Sequence, residues 1–119
     1  MENYIELKIH NMSGTLYPAE SVALVLKEVW GDRKIPIIIG KLEAHSIQLG
    51  MKGIIPPRPL PHDLVMDLVF ELNAGFRYVL IYKAKDGVFY SYIYMSNEAG
   101  DEFKLDARTS DAIAIALRC

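Results

Sequence analysis

The spacing of apolar residues changes once near residue 40, and that change narrows the folds open to this chain more than any other feature. Before Gly40 apolar side chains recur at every second position. Ile5, Leu7 and Ile9 face one way, and Glu6, Lys8 and His10 the other, the pattern of a half-buried strand. Ser13-Gly14 and Pro18 interrupt it. Val22, Leu24 and Leu26 then form a second strand that runs into Lys27 and Glu28, and Gly31-Asp32 reads as a turn. Ile35-Pro36-Ile37-Ile38-Ile39 is apolar on both faces. It is expected to be buried, with Pro36 at its entry or on an edge. Short connections between the three runs imply an antiparallel meander.

After Gly40 the period lengthens. Ala44, Ile47 and Met51 share one helical face, Leu42 and Leu49 another, and Gly50 and Gly53 mark the end. The loop from Ile54 to Leu60 is stiffened by Pro56, Pro57 and Pro59. A second helix opens at Pro61, with Leu64, Val65, Leu68, Val69 and Leu72 as its apolar stripe, and closes around Asn73 to Gly75. Phe76–Tyr82 and Val88–Met95 are strands joined by the hairpin signal Asp86-Gly87. A short strand with Phe103 and Leu105 precedes a last helix, Asp111 to Arg118, which is apolar all round and expected to be buried on more than one side. The prediction is an α+β fold: a mixed, largely antiparallel sheet of about six strands with three helices, in the order β-β-β-α-α-β-β-β-α. With 119 residues, 51% of them hydrophobic and 24% charged, the chain reads as one globular domain, residues 1–119, able to fold without a staple.

The same composition excludes several functions. Cys119 is the lone cysteine, so neither an intrachain disulfide nor a multi-cysteine zinc site can form, and a reducing compartment is expected. The start, Met1 to Glu6, lacks the basic and apolar regions of a signal peptide, and no apolar run could span a bilayer. A cytoplasmic protein is expected. Thirteen basic against fifteen acidic side chains leave a net charge of −2, which argues mildly against tight, non-specific nucleic-acid binding. The densest basic cluster is Lys83 and Lys85.

No phosphate-cradling glycine loop, nucleophile elbow or zinc helix is present. The polar residues at the ends of elements remain: Glu43, Arg58, His62, Asp63, Asp106, Arg108, Ser110 and Asp111. Each has a bland reading. Thr109, Ser110 and Asp111 can cap a helix or complement its dipole, Asp106 and Arg108 can form a structural ion pair, and Asp63, Asp67 and Glu71 can form a solvated acidic stripe. Together they also suit phosphodiester hydrolysis. One or two carboxylates hold Mg²⁺, an arginine stabilises charge on phosphorus, and a histidine moves a proton.

The stretch Leu105-Asp106-Ala107-Arg108-Thr109-Ser110-Asp111 running through Ala112 to Arg118 resembles the signature of the bifunctional nuclease family, bacterial and plant domains credited with DNase and RNase activity. Pro36-Ile37-Ile38-Ile39-Gly40 with Glu43-Ala44 and Ile47, and Pro57-Arg58-Pro59-Leu60 with His62-Asp63-Leu64, resemble it too. Members usually have Pro-Ser-Asp where this chain has Thr109-Ser110-Asp111, and Thr-His-Asp where it has Pro61-His62-Asp63. Both differences alter helix entry and spare the charged groups. Members usually continue past the final helix, so the segment usual in the family is expected to be absent after Cys119.

The resemblance implies a nuclease acting on DNA or RNA with a divalent metal, Mg or Mn. Glu43, Asp63, Asp106 and Asp111 are then the metal or water-positioning carboxylates, with Asp106, Asp111 and Glu43 the metal set. His62 moves the proton, and Arg58, Arg108 and Ser110 contact substrate. The competing expectation is a non-enzymatic binding or regulatory module in which these groups form a structural network. A homodimer is also expected. The last helix and both faces of the strand bearing Tyr90, Tyr92 and Tyr94 are too apolar for solvent, and a subunit contact would cover them.

Overall fold

A computed structural model describes residues 3–14 and 20–119; Met1, Glu2 and Pro18 lie outside the described residues. The element order is β1 (Leu7–Gly14), β2 (Ser21–Glu28), β3 (Lys34–Gly40), α1 (Lys41–Lys52), α2 (Pro61–Glu71), β4 (Gly75–Lys85), β5 (Val88–Ser96), β6 (Glu102–Arg108) and α3 (Thr109–Ala116). That is the α+β order the periodicity predicts. Among the described residues the six strands pair antiparallel throughout and divide into two three-stranded sheets, β1-β2-β3 and β4-β5-β6. The chain forms two compact units, Met1–Ala44 and His45–Cys119, with the boundary inside α1.

In the first unit β2 is the central strand. Val22 lies opposite Ile39, Leu24 opposite Ile37 and Leu26 opposite Ile35. Leu24, Leu26, Ile37 and Ile39 are buried. Ile38 is exposed, as is Pro36, so the run read as buried on both faces is buried on one. As an edge strand β3 tolerates the proline, and the face that carries Pro36 and Ile38 stays open to solvent.

In the second unit β5 is central and alternates strictly. Ser91, Ile93 and Met95 are buried on one face; Tyr90, Tyr92 and Tyr94 are half-buried on the other. Ile93 and Met95 form a core with Ala112 and Ile115 of α3, against which Met66 and Val69 of α2 pack. Burial of each large side chain there contributes about 1.5–3 kcal/mol. The apolar α3 and the Ile93 face, expected from sequence to need a partner subunit, are thus covered by helices of the same chain. The β4–β5 turn confirms its signal, since Asp86 and Gly87 both have positive φ, 53° and 78°.

α2 departs from its predicted orientation. Leu64, Leu68 and Leu72, expected to face the core, are exposed, and no residue of the helix is fully buried. Of that predicted stripe Val69 does turn inward, beside Met66, His62 and Asp63, whereas Val65 is exposed with the leucines. Asp63 is therefore no part of a solvated stripe, whereas Asp67 and Glu71 remain exposed. The ion pairs described next hold the polar face of α2 inward.

Candidate active site

The second unit holds a continuous chain of hydrogen bonds that joins its three helices. At its closed end lies Arg118, just beyond α3, whose side chain is only 9% exposed. Its Nε donates to Asp63 Oδ1 at 2.7 Å and its Nη1 to the Ala114 carbonyl at 2.6 Å. Its Nη2 donates to the Ser46 carbonyl at 3.0 Å and to Ser46 Oγ at 2.9 Å. Gly50 of α1 permits this approach, because a Cβ there would stand 2.9 Å from the guanidinium and 3.0 Å from Leu117 Cβ.

Ser46 passes the chain on. Its Oγ lies 2.6 Å from His62 Nδ1, and His62 Nε2 lies 2.9 Å from Asp111 Oδ1. Because Arg118 occupies a lone pair of Ser46 Oγ, the single hydroxyl proton is available for Nδ1. A neutral imidazole then carries its proton on Nε2 and donates it to Asp111. At the open end Arg108 Nε donates to Asp111 Oδ2 at 2.8 Å. Asp111 is 30% exposed and Arg108 69%, so these two face solvent while His62 stands behind them.

Local structure fixes each member. Pro61 starts α2 at its first position, and Asp63 Oδ2 accepts from the Leu60 amide at 2.8 Å, closing that helix's N-terminus. Thr109 starts α3, and its hydroxyl hydrogen-bonds Ser91 of β5 at 2.5 Å, which locks the strand-to-helix turn. Asp111 sits in the first turn of α3 but spends its oxygens on His62 and Arg108, so it is no simple cap. Burial pushes the Asp111 carboxyl up, but hydrogen bonds from Arg108 and His62 outweigh it and hold it below the ordinary carboxylate range. Asp63 behaves alike: burial raises it, and Arg118 with the Leu60 amide lowers it further.

The residues singled out from sequence are thus only partly assembled. His62, Arg108 and Asp111 come together, with Asp63 linked through Arg118 and Ser46. Ser110 is buried beside them in the first turn of α3. Asp106 lies across from Tyr92 on the tyrosine face of the sheet, and its charge acts on Tyr82. Arg58 is exposed in the proline-rich loop. Glu43 belongs to the first unit, its carboxylate folded over Gly40. Among the described residues no group of three or more His, Cys, Asp or Glu side chains is arranged to hold a metal ion. Sequence reasoning missed Ser46 and Arg118. The one available signal was a basic residue directly after an all-apolar helix.

Residues 24–119 match the family defined as the bifunctional nuclease domain. An uncharacterized protein of Mycobacterium tuberculosis is 42% identical over 101 residues, covering 85% of this chain and 59% of the relative. Bifunctional nuclease 1 of Oryza sativa subsp. japonica is 31% identical over 100 residues, 82% of this chain and 30% of that protein. Bifunctional nuclease 2 of Arabidopsis thaliana is 26% identical over 104 residues, 86% and 31% respectively. The chain therefore spans about three-fifths of the mycobacterial relative and under a third of the plant ones.

Proposed function

Since the chain belongs to the bifunctional nuclease domain family, we propose that it hydrolyses phosphodiester bonds of single-stranded or flexible DNA or RNA at the Asp111–Arg108 pair. The observation that carries this reading is the partly exposed Asp111 carboxylate held between His62 and Arg108. A backbone phosphate competes with Asp111 for the Arg108 guanidinium, which suits phosphate oxygens as well as carboxylate. Release from Arg108 removes the larger of the two hydrogen bonds that lower the Asp111 carboxyl, leaving that from His62, so it becomes a better base at the moment substrate is present. It then accepts the proton of a water that attacks phosphorus; the P–O bond breaks and the leaving oxygen is protonated from solvent. Both nitrogens of His62 are engaged, so its part is to position Asp111 and to hold its charge.

The family resemblance also implies a divalent metal, and the donor set of the second unit does not fit one as it stands. Asp111 has both oxygens on cationic or N–H donors, and so does Asp63. Hydrolysis in this reading therefore relies on Asp111 and Arg108 without a metal ion. Cleavage of a labelled single-stranded oligonucleotide should persist in excess chelator. Loss of cleavage in chelator, restored by Mg²⁺ or Mn²⁺, would contradict this arrangement and mean that Asp111 exchanges Arg108 for a metal ion.

A non-enzymatic module is the second reading, favoured by the enclosed Asp63–Arg118–Ser46 half of the network. Absence of cleavage under every condition would leave that reading standing. We also propose a cytoplasmic homodimer. The lone cysteine supports the location, and among the described residues no helix is long and apolar enough to cross a membrane. The exposed Leu64, Leu68 and Leu72 of α2 support the dimer. Light scattering should give twice the monomer mass at micromolar concentration, falling to the monomer in Leu68→Lys. A monomer mass for the wild type, unchanged on concentrating, would refute it.

A further inference from the structure

The face of β4-β5-β6 opposite the core carries a cluster of tyrosines that the hydrolytic site does not use. Tyr78 stacks on Tyr94 with ring centroids 4.6 Å apart, and Tyr82 on Tyr92 at 4.1 Å with planes 9° apart. Tyr92 meets Tyr94 edge-on at 6.3 Å, and Tyr90 leans on Tyr82 at 6.4 Å. Five tyrosines thus form one surface. Within this unit α2 and α3 pack on the other side of the sheet, around Ile93 and Met95. Tyr78 and Tyr82, on edge strand β4, keep 37% and 39% of their surface open.

Cations bracket the rings. Lys83 Nζ lies 5.0 Å from the centre of Tyr90, and Lys104 Nζ 4.3 Å from that of Tyr92. On the same face Arg77 is paired with Glu102, and Arg108 with Asp111. Lys83, Lys85 and Lys104 then stand against Asp106, a local balance of 3 − 1 = +2 in a chain whose total is −2. Hydrogen bonding to Tyr92 pushes the Tyr82 hydroxyl up to about 12, so it is a neutral donor at working pH. The surface is continuous with the site. Arg108, which holds Asp111, lies directly across from Tyr90.

We propose that this face binds single-stranded nucleic acid, its bases stacking on the tyrosines and its phosphates passing Lys104 and Lys83 toward Arg108. Stacking on aromatic rings needs bases freed from a duplex, and the modest positive charge is too small to hold a duplex by its phosphates alone. The binding stands on the sheet itself; delivery of a phosphate to Asp111 rests on the nuclease reading.

Fluorescence anisotropy with the full chain tests it, using labelled oligothymidylate and oligouridylate of about twenty nucleotides and a duplex of the same length. Both single strands should bind more tightly than the duplex. Tyr82→Ala should weaken single-strand binding by about fivefold to a hundredfold, while Tyr82→Phe keeps the ring and the affinity. Lys104→Gln leaves the ring pairs in place and should lower the salt slope by about 0.7. Unchanged affinity in Tyr82→Ala and an unchanged slope in Lys104→Gln would overturn the proposal. So would a wild-type dimer that Tyr82→Ala converts to a monomer, since the face would then be a subunit contact. Binding without cleavage removes the nuclease reading and keeps the platform. Cleavage whose KM is indifferent to both variants removes the platform and keeps the nuclease.

Discussion

Arg118→Met should destabilise the protein by about 3–5 kcal/mol, the cost of removing one partner from an enclosed ion pair. The guanidinium makes four hydrogen bonds from a nearly closed position, to Asp63, Ala114 and both polar groups of Ser46. Methionine fills similar space but leaves the partly buried Asp63 charge with the Leu60 amide alone. Against a typical total of about 5–15 kcal/mol, that is a large share. Urea unfolding measures it. Asp63→Leu added to Arg118→Met should recover part of the loss, because no buried charge is then stranded. Acid reads the same pair. Asp63 and Asp111 are lowered from 3.8 in the folded state, so their contribution is full above that pH and is lost as pH falls through the lower folded values. A cost below about 1 kcal/mol for Arg118→Met would show that the network contributes little.

Asp111→Asn should lower cleavage by about 10²–10⁴-fold, the usual contribution of a positioned base. The substitution keeps the size and the acceptor for His62 Nε2 but removes the proton acceptor that faces solvent. Its structural cost is small by comparison. The Arg108 partner is itself mostly exposed, so the lost ion pair is worth about 0–1 kcal/mol, and the amide retains a hydrogen bond to the imidazole. Loss of rate without loss of fold is what separates Asp111 from Arg118.

Element order was legible because each element is strongly periodic and punctuated by turn residues such as Asp86-Gly87. The division into two sheets was not, since period-two alternation reports which face a residue takes and not which strand lies beside it. Ile38 and Pro36 illustrate the limit: five apolar residues in a row look buried whether the strand is central or an edge. α2 was misread for a different reason. Its leucine stripe outweighs its polar face in any hydrophobicity pattern, yet the Asp63–Arg118 and His62–Asp111 contacts, spanning 55 and 49 residues, turn the polar face inward. The site was half legible. His62, Arg108 and Asp111 could be named from motif likeness, but Ser46 and Arg118 act only through tertiary contacts. Asp106, two residues from Arg108 on one strand, lies on the tyrosine surface instead of joining Asp111.

The measurement closest to the central claim sets cleavage of a labelled single-stranded oligonucleotide by wild type beside that by Asp111→Asn, with a melting curve for each. The account predicts cleavage by the wild type, loss of at least about a hundredfold in the variant, and melting midpoints within a few degrees. Equal cleavage by the two proteins, or a variant that fails to fold beside a wild type that never cleaves, would contradict it.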